Sequence, residues 1–209
     1  MNAFVRFAFR QFYTTFAWTY DAVAHMVSLG EWKEWGHAAM QFLPREGRLL
    51  EIAHGPGHLH LALRQVGYNA VGIDLSLQMC RMLRTRLIHA STHPPQQARA
   101  STLNLPFADS AFTAVVSTFP AEFIFVRDTL NEVRRVLQPG GHFVIVPGTR
   151  FRGDDLVTRL IRFAYAATGQ RETPRLAAHT RFTSAGFAFE EHIVQTRRAE
   201  VIVWVLTRH

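Results

Sequence analysis

The apolar and polar positions of this chain alternate between two periodicities. Five short apolar runs have the length of buried strands, and they lie at 48–53, 70–73, 98–102, 114–117 and 142–147. Segments in which apolar residues recur at helical spacing separate several of them, at 59–65, 77–88 and 129–138. Strands that alternate with helices predict an α/β domain with a largely parallel sheet.

The C-terminal part of the pattern differs. Helices are predicted at 154–167 and 180–185, and strands at 187–194 and 201–207. Two strands joined by a short loop predict an antiparallel hairpin at the edge of the sheet.

The N-terminal residues 3–20 carry Phe9, Phe12, Phe16 and Tyr20 at helical spacing, which predicts an amphipathic helix. This helix either packs on the domain, covers an apolar pocket as a lid, or rests on a membrane surface. A second helix is predicted at 31–43 and ends before Pro44. We therefore divide the chain into a helical substrate-side segment, 1–44, and a domain, 45–209.

Composition places the chain among globular proteins, with 209 residues, 48% hydrophobic and 19% charged. Cys80 is the only cysteine, which excludes an internal disulfide and a cysteine-rich zinc site. His89 and His93 are four residues apart, but prolines follow at once, so we expect no metal. No apolar run approaches the ~20 residues that span a bilayer, and we expect a cytoplasmic location.

The net charge of +7 comes almost entirely from arginine, since Lys33 is the only lysine. Codon composition explains such a bias, and attraction to anionic lipid or nucleic acid is the alternative. No nucleic-acid recognition motif accompanies the charge, so we expect no nucleic-acid partner. Peripheral contact with a membrane stays open.

A glycine turn follows the first predicted strand. The strand ends near Glu51, Gly55 and Gly57 follow, and helical periodicity begins at Leu59. Glycines let a ligand approach the backbone, and a helix N-terminus offers N–H groups to a carboxylate or phosphate. The dinucleotide-binding pattern G-x-G-x-x-G requires a third glycine where His60 stands, which disfavours a nucleotide-dependent oxidoreductase.

The turn resembles the first motif of class I S-adenosylmethionine (SAM) methyltransferases, an acidic residue followed by G-x-G-x-G. Glu51, Ala53, Gly55 and Gly57 match it, with alanine at the first glycine. Two later runs are similar to further motifs of these enzymes: Leu-Asn-Leu-Pro-Phe-Ala-Asp-Ser-Ala-Phe at 103–112, and Arg-Val-Leu-Gln-Pro-Gly-Gly at 135–141.

A Tyr-Asp pair at 20–21 and the segment Gly30-Glu-Trp-Lys-Glu-Trp resemble the N-terminal region of quinone-type and phospholipid methyltransferases. The resemblance implies a Rossmann-like, seven-stranded mixed sheet with helices on both faces. It also implies binding of SAM and of the product S-adenosylhomocysteine (SAH). By position it assigns these cofactor-binding residues: Tyr20, Glu51, Ala53, Gly55, Gly57, Asp74, Leu75, Met79, Ser101, Thr102, Leu103 and Thr118.

Asp74 follows the second strand, where a carboxylate can accept hydrogen bonds from both ribose hydroxyls. Its alternative role is to cap the next helix, together with Ser76. Leu75 would then flank the adenine, and Glu51 would lie near the methionine end. Ser101 stands where the family usually has an acidic residue for the adenine amino group.

Candidates for catalysis are Tyr20, His54 and Glu122, with His25 after them; for His54, which lies inside the glycine turn, a loop residue beside the cofactor is the favoured interpretation. Phenylalanines after the fourth strand, at 119, 123 and 125, predict an apolar pocket. The favoured function is methyl transfer to a small hydrophobic acceptor, such as a lipid or quinone. A SAM-binding protein without catalysis is the alternative, because Ala53 and Ser101 depart from the common pattern.

Overall fold

A computed structural model describes residues 28, 30–90, 96–152 and 175–209. The helices expected at 3–20 and 154–167 lie outside these residues, as do the candidates Tyr20 and His25.

In the described residues, seven strands form one sheet: β1 (Arg48–Ile52), β2 (Asn69–Asp74), β3 (Gln97–Arg99), β4 (Phe112–Thr118), β5 (Leu137–Phe151), β6 (Phe187–Gln195) and β7 (Ala199–Arg208). Their spatial order is β3-β2-β1-β4-β5-β7-β6. Strands β1 to β5 pair in parallel, and β7 runs antiparallel to both β5 and β6. The predicted α/β class, the mixed sheet and the terminal hairpin are confirmed.

The helices are α1 (Trp32–His37), α2 (His58–Gln65), α3 (Leu77–His89), α4 (Arg127–Val136) and α5 (Arg175–Ser184), with short 3-10 helices at Ala38–Phe42 and Glu122–Phe125. None of the described helices is long and apolar enough to cross a membrane. The last helix starts earlier than predicted, and β5 extends beyond 142–147 at both ends.

Helices cover both faces of the sheet, because neighbouring residues of a strand point to opposite sides. Leu50 of β1 faces a core shared with α4 and α5, which contribute Val133 and Phe182. Leu49 faces the other core, where α2 contributes Leu63.

The described end of the N-terminal segment packs into that second core. Trp35, Ala38, Ala39 and Leu43 are all at most 7% exposed and belong to the same cluster as α2. The segment predicted as one helix changes to 3-10 geometry after His37, and Leu43 is extended before the proline, as that position favours. The division of the chain after residue 44 stays a prediction.

One predicted helix start is wrong. The helical spacing from residue 129, with Thr129 and Glu132 three residues apart, predicts a capping box there, but α4 begins at Arg127 and its N-cap residue makes no side-chain cap. Glu132 instead accepts a hydrogen bond from the N–H of Leu105 at 2.7 Å and pairs with Arg135 at 2.8 Å. The loop before β4 uses this carboxylate, so it is not available to the helix start.

Candidate active site

The turn between β1 and α2 has an unusual backbone. Ala53, Gly55 and Gly57 have φ values of +53°, +55° and +83°, all in the left-handed region. Glycine enters this region freely, whereas an L-residue with a Cβ is strained there. The family pattern of glycine at position 53 thus has a backbone reason, and Ala53 occupies a conformation better suited to glycine.

The two glycines have different environments. Gly55 lines a cavity, and a Cβ placed on it would meet nothing within 4 Å. A Cβ on Gly57 would overlap the side chain of Leu83 on α3, and Gly57 does not line the cavity. Gly55 therefore leaves room for a ligand, while Gly57 allows the turn to pack against α3.

Asp74 connects the end of β2 to this turn. Its Oδ2 accepts a hydrogen bond from the N–H of Gly55 at 2.9 Å, and its Oδ1 accepts one from the N–H of Ser76 at 2.8 Å. The cap of α3 is the Ser76 hydroxyl, which accepts from the N–H of Met79 at 3.4 Å. Asp74 is therefore not the N-cap. A carboxylate has about four acceptor positions, so this half-buried one, which lines the cavity, can accept further bonds.

The cavity has a volume of about 920 Å³ and opens at the carboxyl ends of β1, β2 and β4. Ligands of open α/β sheets bind at this end of the strands. Many of the residues assigned by resemblance line it: Ala53, Gly55, Asp74, Leu75, Met79, Ser101, Thr102, Leu103 and Thr118. Leu75 and Leu103 are 65% and 51% exposed, so the cavity has apolar surface available to a flat ring.

Glu51 does not line the cavity. It is 1% exposed, and its Oε2 accepts a hydrogen bond from Nδ1 of the fully buried His60 at 3.1 Å. The residue that replaces the third glycine of a dinucleotide site thus pairs with the acidic residue of the motif, inside the protein. Ligand contact by Glu51 stays a prediction.

His54 lines the cavity, but both ring nitrogens face protein atoms. Nδ1 donates to the carbonyl oxygen of Gly55 at 2.8 Å, and Nε2 lies 3.9 Å from Sγ of Cys80. Burial lowers the pKa of His54, which favours the neutral ring. This arrangement favours the interpretation of His54 as a residue that shapes the turn.

Glu122 is not brought to the cavity. It is exposed on the short 3-10 helix after β4 and is absent from the lining. Ser101 lines the cavity, and its hydroxyl accepts a hydrogen bond from the N–H of Leu103 at 3.2 Å. Of the three phenylalanines expected to form a pocket, 119 and 123 line the cavity, whereas Phe125 packs in the core below α5.

The contact between Trp32 and Phe119 in the cavity wall was not predicted from the sequence. Trp32 stacks on Phe119 with ring centroids 4.2 Å apart and an interplanar angle of 27°, and both rings line the cavity. Phe119 has a φ of +50°, the kind of strained backbone that occurs at functional sites. Further lining residues not anticipated are Lys33, Gly36, Pro56, His58, Arg81, Arg99, Pro120, Ala121 and Val126. The two tryptophans of Gly30-Glu-Trp-Lys-Glu-Trp were the available signal.

No group of three or more Asp, Glu, His or Cys side chains in the described part of the chain could hold a metal ion. The expectation of a metal-free protein stays a prediction.

Comparison with known proteins supports the resemblance. Residues 50–145 match the family model described as a methyltransferase domain. The chain is 29% identical over 165 residues to the demethylmenaquinone methyltransferase of Symbiobacterium thermophilum, covering 75% of this chain and 63% of that relative. It is 34% identical over 152 residues to the enzyme of that name from Clavibacter sepedonicus, covering 68% and 61%. The chain thus spans about three fifths of the length of these relatives.

Solved structures share the fold. The YcgJ protein of Bacillus subtilis has a TM-score of 0.62 at 15% identity, covering 84% of this chain and 98% of that one. The geranyl diphosphate C-methyltransferase of Streptomyces coelicolor, solved with SAH, has a TM-score of 0.61 at 15% identity, covering 85% and 78%. Residues 50–145 therefore match a methyltransferase domain, and the seven-stranded sheet has the fold of solved methyltransferases.

Proposed function

We propose that this protein transfers a methyl group from SAM to a small apolar acceptor. The observation that carries the proposal is the junction of Asp74 and Gly55 at the wall of the 920 Å³ cavity. It places a carboxylate, an open glycine backbone and exposed apolar side chains around one space. These are the groups that a charged ligand with a ribose and a flat base requires.

The residues present fit SAM. Asp74 has acceptor capacity left for ribose hydroxyls, and Gly55 has no Cβ to block the approach. Leu75 and Leu103 offer exposed apolar surface for the adenine, and Ser101 lines the same cavity. Glu51, Gly57 and Tyr20 remain predicted cofactor-binding residues. Glu51 and Gly57 support the turn from its buried side, where Glu51 pairs with His60 and Gly57 packs against Leu83.

The other end of the cavity suits an acceptor that is apolar. Its lining joins Trp32 and Phe119 to Pro120, Ala121 and Phe123, none of which carries a charge. The relatives named demethylmenaquinone methyltransferase lead us to propose a quinol or a similar aromatic compound first, and a lipid second.

The reaction on this proposal depends mainly on positioning. SAM, when bound, supplies a methyl group on a sulfonium centre. Trp32 and Phe119 hold the acceptor and exclude water, and the turn from Ala53 to Gly57 fixes the opposite side. Orientation and exclusion of water can contribute several kcal/mol, roughly 7–11 in favourable intramolecular cases. The geometry of His54 and Glu122 gives neither a direct role as a base, and an acceptor that is already nucleophilic needs none.

Transfer from labelled SAM tests this proposal. The purified protein is incubated with labelled SAM and, separately, quinols, lipid extract, small amines, phenols or bulk RNA. Label that enters the organic phase with quinols or lipids, and is lost in Asp74→Ala, supports it. Label on RNA alone would overturn it.

SAM binding without transfer to any acceptor would instead favour a non-catalytic SAM-binding protein. The protein partners of both His54 nitrogens are the observation that keeps this candidate. Saturable NADH binding with no SAM binding would favour the oxidoreductase.

We also propose that the protein collects its acceptor at a membrane surface. Leu77 and Val126 on the cavity rim are 45% and 41% exposed, and Arg81 lines the same cavity. Apolar residues beside cations suit an anionic bilayer. Vesicle flotation tests this, with binding expected to anionic vesicles and not to neutral ones.

A further inference from the structure

Glu31 is a buried carboxylate in the segment Gly30-Glu-Trp-Lys-Glu-Trp, and it precedes the glycine turn in the chain. It is 4% exposed, and its partners come from the turn between β6 and β7. Its Oε2 accepts from the Thr196 hydroxyl at 3.0 Å and from the N–H of Arg198 at 3.4 Å, while Oε1 lies 3.3 Å from Nε of Arg197. Oε2 also accepts from Nε1 of Trp35 at 3.2 Å. This carboxylate therefore ties the start of α1 to the terminal hairpin.

The ionised form of Glu31 is the form that these partners stabilise. Burial by itself would raise the pKa of Glu31, but the hydrogen bonds from Thr196, Trp35 and the two arginines outweigh it, and the pKa is lowered. The Arg197 side chain is 72% exposed, so its ion pair contributes little on its own. The neutral donors make Glu31 costly to replace, because they would be left without an acceptor.

The residue after Glu31 belongs to the cavity. The N–H of Glu31 donates to the carbonyl oxygen of Ser28 at 3.1 Å, and the N–H of Trp32 donates to the Ser28 hydroxyl at 3.0 Å. The N–H of Trp35 returns to the carbonyl oxygen of Glu31 at 3.0 Å. The start of α1 is thus one tightly bonded unit, and moving Glu31 moves Trp32.

Phe119, the partner of Trp32, is fixed from the other side. Its N–H donates to the carbonyl oxygen of Val146 on β5 at 2.7 Å, and its φ of +50° limits the other conformations it can adopt. Of the two stacked rings, Phe119 is held by the sheet itself, and Trp32 depends on the placement of α1.

We infer that Glu31 is a positioning residue, which holds Trp32 against Phe119 and so shapes the acceptor end of the cavity. That this end of the cavity holds the acceptor rests on the proposed function. The contact between Trp32 and Phe119 does not depend on it. The hairpin turn at 196–198 contacts Glu31 and takes no part in the lining, so its effect on the acceptor passes through Glu31.

Fluorine NMR of protein labelled with 5-fluorotryptophan tests the contact without any acceptor. Trp32→Phe and Trp35→Phe identify the resonances of Trp32 and Trp35 among those of the labelled protein. Phe119→Leu gives the position of the Trp32 resonance without the stacked ring. In Glu31→Gln, one oxygen must serve donors that two oxygens served, and an NH₂ group faces Thr196 or Arg197. We expect the Trp32 resonance to move towards its position in Phe119→Leu.

The controls separate local from transmitted effects. Arg197→Gln removes only the exposed partner, and we expect no change at Trp32. Thr196→Val removes one hydrogen bond to Glu31 and serves as the test if Glu31→Gln fails to fold. We expect it to shift the Trp32 resonance in the same direction as Glu31→Gln, but by less. A shift at Trp35 alone, with Trp32 unmoved in both variants, would overturn the inference.

Turnover and binding then distinguish this inference from the proposed function. With reduced 1,4-naphthoquinone and labelled SAM, we expect kcat/KM for the acceptor to fall about tenfold in Glu31→Gln, through misplacement of the wall. SAH affinity measured by calorimetry should stay within about twofold, since Asp74 and Gly55 are untouched. If the wild-type protein binds no SAH, the proposed function fails while the NMR result still decides the role of Glu31.

Discussion

The carboxylate of Asp74 accepts a hydrogen bond from the N–H of Gly55, 19 residues earlier, at 2.9 Å. This single contact joins the second strand to the turn after the first. It fixes the spacing between the open glycine and the acceptor group that the cavity offers to a ligand.

Replacing Asp74 should affect binding more than stability. We expect Asp74→Ala to weaken SAH binding by about 1–3 kcal/mol, because hydrogen bonds to a charged group are lost. Titration calorimetry measures the change. Glu190→Gln is the matched control, since that side chain is 68% exposed on β6, and its affinity should equal that of the wild type. Equal affinities for all three proteins would remove Asp74 from the site.

The left-handed φ of Ala53 predicts a stabilising substitution. Ala53→Gly should raise the free energy of unfolding by up to about 1 kcal/mol, because relief of the strained backbone exceeds the added entropy of the unfolded chain. Urea denaturation tests it. The control is Ala62→Gly inside α2, which should lower the free energy of unfolding by about 0.5–1 kcal/mol. A loss of stability in Ala53→Gly would contradict the strain argument.

The two glycines of the turn should respond differently to alanine. Gly57→Ala should lower the free energy of unfolding by about 1–3 kcal/mol, because the new Cβ overlaps Leu83 in a packed interior. Gly55→Ala has space for its Cβ, so only its left-handed φ of +55° should lower the free energy of unfolding, by about 1 kcal/mol, and it should also weaken SAH binding. Denaturation and calorimetry on both variants separate the effects. Combining Gly57→Ala with Leu83→Ala should cost less than the sum of the single changes.

Stability should fall in acid because of Glu132 and Glu31. Hydrogen bonds from Arg135 lower the pKa of Glu132 below its ordinary value of 4.5, and the pKa of Glu31 is lowered also. A folded-state pKa below the unfolded one stabilises the protein above the unfolded pKa, and this contribution is lost as pH falls through the folded pKa. The melting temperature should therefore drop below about pH 4.5.

Glu132→Gln should show a shallower drop in melting temperature between neutral pH and acid, from a lower starting value. Glu190→Gln should keep the slope of the wild type. An unchanged slope in Glu132→Gln would mean that other carboxylates dominate acid unfolding.

The succession of strands and helices and the position of Asp74 could be predicted from the chain because both depend on local pattern. A strand, a glycine turn and an acidic residue at the next strand end are close in sequence, and the seven-stranded mixed sheet followed from the resemblance. The role of Gly57 could not be predicted in the same way. Its neighbour Leu83 lies on another helix, and only packing shows that the glycine serves that contact.

The candidates for catalysis show the limit more clearly. His54 and Glu122 were chosen because they stand beside motifs, but side-chain direction decides their role. Nδ1 of His54 bonds to the carbonyl oxygen next to it, and the short helix after β4 turns Glu122 outward. The Trp32–Phe119 stack joins residues far apart in sequence, which no periodicity predicts.

The hydrogen bonds between Glu31 and the hairpin turn at 196–198 also affect the order in which parts of the protein fold during synthesis. Thr196 and Arg197 lie 165 and 166 residues after Glu31, whereas Gly55 and Asp74 are 19 apart. On the ribosome, the glycine turn can pair with β2 soon after both emerge, but α1 must wait for the hairpin. Contacts across such long separations form late because closing the chain costs entropy. The Trp32–Phe119 stack is thus completed after the rest of the cavity. A nascent chain halted before residue 196 would have the turn of Gly55 but not the hydrogen bonds to Glu31 that hold Trp32 in place.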